Sequence, residues 1–181
     1  MKQMTKASVR ETVGNLHLPR YHEIPDVGLY LDQVVKYIGQ CLNMFGEVSI
    51  TASMISNYVK KGLVDNPVKK QYDRQRIAYL FFIVVAKNVI SLDNLALLIA
   101  MQKRTYSPQR AYDYFCDELE NVLACVFEQK DTLDIIGVDS SYEKRMLRSA
   151  IIAVAHKVYL EYSFALMESE DCKEIPVPAG Q

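Results

Sequence analysis

Apolar residues recur at helical spacing along most of this chain, and short stretches rich in Gly, Pro or Asp interrupt the pattern. Between Gly28 and Leu42, the positions Leu31, Val34, Val35, Ile38 and Leu42 share one helix face. Thr51 can cap a short helix that ends at Gly62, with Lys60 and Lys61 in its last turn. The spacing assigns Ala52, Ile55 and Val59 to its inward face and Ser53, Ser56, Asn57 and Lys60 to its outward face. From Leu63 to Tyr72 the chain reads as two short extended pieces around an Asp65-Asn66-Pro67 turn, which predicts a small hairpin. Asp73 then caps a helix that contains the unbroken apolar run Ile77 to Ala86, too short to span a bilayer and suited to burial.

Three more helices follow. Ser91 caps one that carries Leu92, Leu95, Leu98 and Ile99. Ser107-Pro108 opens another, since serine at the cap and proline at the first helical position is a strong start signal. Its stripe is Tyr112, Phe115, Cys116, Leu119, Val122, Leu123 and Val126, on an amphipathic helix. Ser140-Ser-Tyr-Glu143 resembles a capping box and starts the last helix. Leu147, Ile151, Val154, Val158, Tyr162 and Ala165 form its main stripe, widened by Ile152, Ala155, Tyr159 and Leu166. A helix so broadly apolar is expected to be covered on more than one side, by its own chain or by a second copy.

Composition narrows the class. A 181-residue chain that is 50% hydrophobic and 24% charged is neither disordered nor collagen-like. Met1 to Arg20 has no apolar core of a secretory signal, and the reading is a cytoplasmic protein that contacts no membrane. Cys41, Cys116, Cys125 and Cys172 lie far apart, without C-x-x-C spacing, and read as buried reduced thiols, with no metal or other cofactor expected. His17 and His22 stand in an irregular N-terminal stretch, and His156 reads as a core-edge residue. Asp117, Glu118 and Glu120 read as a solvated helix face. No phosphate loop, H-E-x-x-H or nucleophile elbow appears, so the chain is not expected to be an enzyme.

Charge changes the picture further. Residues 51–76 hold six Lys and Arg against two Asp, whereas 110–181 hold seven against fourteen acids. A local cationic patch on an otherwise acidic protein suggests contact with a polyanion. The order of elements over 28–87 (helix, short helix, hairpin, helix) is that of a winged helix-turn-helix. The expected architecture is therefore mainly α: a winged helix-turn-helix with a small β-hairpin wing over 18–104, then long C-terminal helices over 105–168, with mobile termini at 1–17 and 169–181.

In that frame Ser53, Ser56 and Asn57 would read base edges, because short hydrogen-bonding side chains on a thin helix fit the major groove. Lys60, Lys69, Lys70 and Arg74 would hold phosphates, and Lys61 and Arg76 extend the same patch. Tyr58 would either donate to a phosphate or pack on the edge of the core.

The run Ile55-Ser-Asn-Tyr58-Val-Lys60-Lys-Gly62-Leu63, with Tyr72, Asp73, Arg76, Leu80 and Ile83, resembles the MerR-type regulators. A recognition helix ending in Tyr-x-Lys-x-Gly-Leu and a wing closed by a tyrosine are what that resemblance implies. Ser91-Leu-Asp-Asn-Leu95 looks like the segment that opens their next helix. Leu18-Pro-Arg-Tyr21, Leu29-Tyr-Leu-Asp-Gln-Val34, Met54 to Lys60 and Pro67 to Tyr72 also resemble a family of small regulators of Gram-positive bacteria, called YkrK-like and catalogued as a domain of unknown function. Ser56 stands where MerR proteins usually place an arginine, and the wing is shorter than theirs and lacks their Gly-Tyr-Arg. Base contacts are therefore not carried over from them, and no cysteines match their metal-sensing loop.

The function these features imply is a homodimeric transcriptional regulator, a repressor, that binds double-stranded DNA at a promoter. The alternative is a helical adaptor that binds a protein partner through the acidic C-terminal half without touching DNA. Tyr106, Tyr112, Tyr114, Phe115, Phe127, Tyr159, Tyr162 and Phe164 are candidates to line a pocket for an unidentified small-molecule effector, although aromatic residues at helical spacing are more often core.

Overall fold

In a computed structural model, the protein is described over residues 13, 16–45, 49–137 and 141–168. Among these residues it is mainly helical, with one two-stranded antiparallel sheet. The helices are α1 (Leu31–Cys41), α2 (Ala52–Lys60), α3 (Arg74–Ala86), α4 (Leu92–Thr105), α5 (Pro108–Val126) and α6 (Tyr142–Glu168); the strands are β1 (Leu29–Tyr30) and β2 (Gln71–Tyr72).

Side-chain caps set most of the helix starts. The Thr51 hydroxyl accepts from the Met54 amide, Asp73 from Arg76, Ser91 from Asn94, and Ser107 from Arg110 with Pro108 at the first turn. At α6 the Ser141 hydroxyl accepts from the Lys144 amide, while Ser140 lies outside the described residues. α2 stops at Gly62, whose φ of +75° suits glycine. The Gly62 amide donates to the Val59 carbonyl and the Leu63 amide to the Tyr58 carbonyl, the paired bonds of a Schellman cap.

α3 lies at the centre. Every residue from Ile77 to Ala86 is buried, as its unbroken apolar run predicts. Phe81 meets Tyr37 of α1 edge-on at 5.9 Å and Tyr112 of α5 at 6.0 Å, and Phe82 meets Phe115 at 5.4 Å. The buried residues form one continuous cluster, which crosses position 104 without a break. Val13 is buried and Leu16 packs on this cluster, so the N-terminal stretch expected to be mobile is held there; residues 1–12 and 169–181 lie outside the described residues.

The hairpin differs from its sequence reading. Its turn is Lys69-Lys70, not Asp65-Asn66-Pro67, and is closed by reciprocal backbone bonds between Val68 and Gln71. Beyond that bridge β2 pairs with β1, Leu29 opposite Tyr72, instead of with residues 63–66. The reason is local. Leu63 and Val64 are buried, and the Arg76 guanidinium holds the Asp65 and Asn66 carbonyls (3.3 and 2.9 Å), so this stretch is already committed. Gly28 lets β1 approach, because a Cβ there would lie 2.8 Å from that of Gln71.

The acidic face of α5 also corrects an expectation. Glu118 is fully buried, and the Arg148 Nε of α6 donates to its Oε1 at 2.8 Å. Glu120 takes a two-pronged bond from Arg20 (2.7 and 2.6 Å), Asp117 adds a contact at 2.9 Å, and Asp113 accepts from the Tyr21 amide at 2.7 Å. These carboxylates clamp the N-terminal segment and α6 onto α5. Hydrophobic spacing could not reveal this, because their partners lie 30 to 100 residues away.

Candidate nucleic-acid interface

α2 rests on buried Ile55 and Tyr58. Tyr58 is 2% exposed and packs in the core beside Ile55, while Val59, expected on the inward face, is partly buried against the same cluster. The position of α2 is fixed from behind by Lys87 at the end of α3. Its Nζ donates to the Ser49 carbonyl at 2.9 Å and meets the Met54 sulfur at 3.8 Å, and burial lowers its pKa from the ordinary lysine value. The opposite face carries Ser53, Ser56, Asn57 and Lys60, all exposed as the spacing predicts. The Ser56 hydroxyl donates back to the Ala52 carbonyl at 2.9 Å, so its oxygen remains able to accept.

Lys69 and Lys70 form the tip of the hairpin, both exposed and both left-handed (φ 49° and 65°). Two-residue hairpin turns of this handedness favour Asn-Gly, since a side chain strains the backbone there. Two lysines at this tip cost stability and place two cations at the outermost point of the turn.

The other sequence candidates hold structure together. Tyr72 is buried at 4% exposure in the sheet. Arg74 donates to the Ile24 carbonyl at 2.8 Å, lies over the Tyr21 ring and reaches Asp26 at 3.6 Å. Arg76 grips the loop carbonyls described above and pairs with Asp73. Lys61 differs from these, making only a solvent-exposed pair with Asp93 at 3.2 Å. Their cationic residue type was legible; their intramolecular partners were not.

Other predicted chemistry is scattered. His17 contacts Glu23 at 3.2 Å, and His22 and His156 are exposed, the latter in place of its expected core edge. No group of three His, Cys, Asp or Glu is placed to hold a metal among the described residues. Cys116 is buried and its thiol is pushed up to about 12 by burial, whereas Cys41 and Cys125 are half-buried and Cys172 lies outside the described residues. Phe127, Tyr159 and Tyr162 form their own aromatic cluster and Phe164 is exposed. Tyr106, Tyr112, Tyr114 and Phe115, four of the eight aromatic residues expected to line a pocket, border a cavity between the helices.

Comparison with known families places residues 19–115, from the Arg20 anchor through the first half of α5, within one family. The chain belongs to the family described as Domain of unknown function (DUF1836). That span includes α2, the Lys69-Lys70 hairpin and the whole of α3 and α4. No curated protein and no solved structure matches the chain.

Proposed function

We propose that this member of the DUF1836 family is a cytoplasmic, DNA-binding transcriptional regulator, a repressor that occludes or remodels a promoter as a homodimer. In this reading α1, α2 and the hairpin act as a MerR-like winged helix-turn-helix, with α2 in the major groove. The observation that carries it is the placement of two strained lysines at the hairpin tip, in the same compact unit as a short helix whose free face is Ser53, Ser56, Asn57 and Lys60. Serine and asparagine can hydrogen-bond base edges, and lysines neutralise flanking phosphates. The interface proposed is narrower than the sequence reading: Tyr58, Tyr72, Arg74 and Arg76 have structural duties, leaving Ser53, Ser56, Asn57, Lys60, Lys69 and Lys70, with Lys61 in an exposed pair beside them.

The adaptor alternative loses support, because Asp113, Asp117, Glu118 and Glu120 already have intramolecular partners. The C-terminal half also exposes apolar residues on α6, among them Met146, Leu160 and Phe164. α6 is long and apolar enough to cross a membrane by length and composition, yet only 28% of its most apolar window is buried. Met146, Ser149, Ala153, His156 and Leu160 are all exposed and follow one another at spacings of three and four. This reading assigns that stripe, with Met146 and Leu160 as its large apolar ends, to a second copy, and charged Arg145 and Glu161 on the same helix suit water more than lipid. Leu160→Glu is expected to convert the dimer to monomer in sedimentation equilibrium while the helix content holds. An unchanged dimer would place the interface elsewhere.

The decisive experiment is selection of bound fragments from sheared genomic DNA at about 150 mM salt. Enrichment of one or a few promoters with a two-fold repeated half-site is the expected result; recovery of no fragment above background overturns the reading. Lys69→Asn with Lys70→Gly gives a separate check. Relief of left-handed strain should raise stability by about 1 kcal/mol. The same change should weaken DNA binding at least tenfold and flatten its salt slope by about one unit per lysine lost. Gained stability with unchanged affinity would mean that the tip touches no phosphate.

A further inference from the structure

We infer that the cavity bounded by α3, α4, α5 and the start of α6 binds a small organic anion with an apolar body, of the size of an aromatic monocarboxylate such as benzoate. This goes beyond DNA recognition and is read on the protein alone.

The cavity has a volume of about 140 Å³, and its lining is overwhelmingly apolar. Phe82 and Phe115 form its aromatic wall, with Leu98, Ile99, Ala111 and Leu147 around them. Close-packed interiors leave few gaps larger than one water molecule, so a void of this size is an exception. Apolar cavities of about 150 Å³ stay dry and accept a benzene-sized guest. The void lies where α3 and α4 meet α5 and α6, so it interrupts packing between elements that otherwise join tightly.

Charge at the rim selects the guest. The Gln102 amide is held in place by neighbours: its oxygen accepts from the Tyr79 hydroxyl at 3.0 Å and its nitrogen donates to the Tyr106 carbonyl at 2.8 Å. Two cations remain. The Arg110 guanidinium lies 5.2 Å over the Tyr106 ring and has no carboxylate partner among the described residues. Lys144 lies 5.1 Å over the Tyr114 ring and donates to the Ile136 and Gly137 carbonyls at 2.6 and 2.9 Å, neutral groups that leave its charge unbalanced. Glu143 is the one acid in the lining, so cations outnumber it two to one. The nearby buried acid, Glu118, is matched by Arg148 and cannot compensate them. An apolar ring in the cavity with a carboxylate at the mouth would complete the charge balance against Arg110 and Lys144. A cationic guest of the same shape would meet repulsion.

Titration calorimetry of the full chain with benzoate, benzyl alcohol and benzylamine tests this. Benzoate is expected to bind with a Kd on the order of 100 µM, benzyl alcohol at least tenfold more weakly, and benzylamine not measurably. Arg110→Gln should bring benzoate down to the affinity of benzyl alcohol without altering the thermal midpoint of the unliganded protein. Ala111→Phe, or Leu147→Phe where the first variant folds poorly, should abolish binding of both by filling the space. Equal affinity for benzoate and benzyl alcohol, benzoate binding that survives the filled cavity, or no benzoate binding up to about 10 mM would each overturn the inference. None of these outcomes depends on DNA, so failure here leaves the regulator reading intact, and the reverse holds as well.

Discussion

Arg148→Ala is expected to destabilise the protein by about 3 kcal/mol, read as a shift of the urea midpoint at an unchanged slope. The cause is the carboxylate left behind. Glu118 is fully buried on α5, and the Arg148 Nε on α6 is its charged partner at 2.8 Å. Its second oxygen lies beside the buried Tyr114 hydroxyl, outside good hydrogen-bond geometry, and so supplies little compensation. Truncating the arginine would strand a charge where water cannot reach it, and breaking such buried pairs costs about 3–5 kcal/mol. The lower end applies because the Arg148 side chain is itself about one-third exposed.

The double variant Glu118→Leu with Arg148→Leu separates the cost of an orphaned charge from the worth of the pair. It is expected to lie within about 1 kcal/mol of the parent, since apolar replacement of both partners removes the desolvation penalty along with the attraction. A double variant as unstable as Arg148→Ala would mean instead that the arginine stem, packed along α6, carries the stabilisation.

Such a pair marks the limit of what the sequence could reveal. Features set by a few consecutive residues were legible: the caps at Thr51, Asp73, Ser91 and Ser107, the stop at Gly62 and the burial of Ile77 to Ala86 all follow from local chemistry. So was the outward face of α2, which depends on helical period alone. What failed was long-range. Glu118 and Glu120 look like a solvated face until Arg148 and Arg20 are brought to them. Arg74 and Arg76 look like phosphate ligands until the Ile24, Asp65 and Asn66 carbonyls are found in their reach. The turn was misplaced because Asp-Asn-Pro is a strong turn signal and Lys-Lys is a poor one. Adoption of the poor sequence at the tip is what gives the two lysines their functional interest. The cavity was legible only in part: Tyr106, Tyr112, Tyr114 and Phe115 stood among the pocket candidates, but residues of four helices border it, and a void leaves no pattern in any one of them.

Phe81→Ala is expected to lower stability by about 4 kcal/mol, within the range for phenylalanine truncation in a well-packed core. Phe81 is fully buried and touches an aromatic residue on each side, Tyr37 from α1 and Tyr112 from α5. The removed ring would leave a space that three helices border, and α3 cannot collapse into it because its own flanks, Leu80 and Phe82, are packed in other directions. For a chain of this size the thermal midpoint should fall by about 8–16 °C. The manner of the fall carries more information than its size. Phe81 lies in the proposed DNA-binding half, yet the core it anchors runs without interruption into α5 and α6. Circular dichroism, which reports all helices, and hydrogen exchange of the α5 and α6 amides should therefore report the same lowered stability in a single transition. If the α5 and α6 amides kept their parental protection while α1 to α3 lost theirs, position 104 would be a true folding boundary. A shared transition would make the DNA-binding face and the C-terminal pair one mechanical unit, so that a guest in the cavity or a partner on α6 would act on the same equilibrium that orders α2.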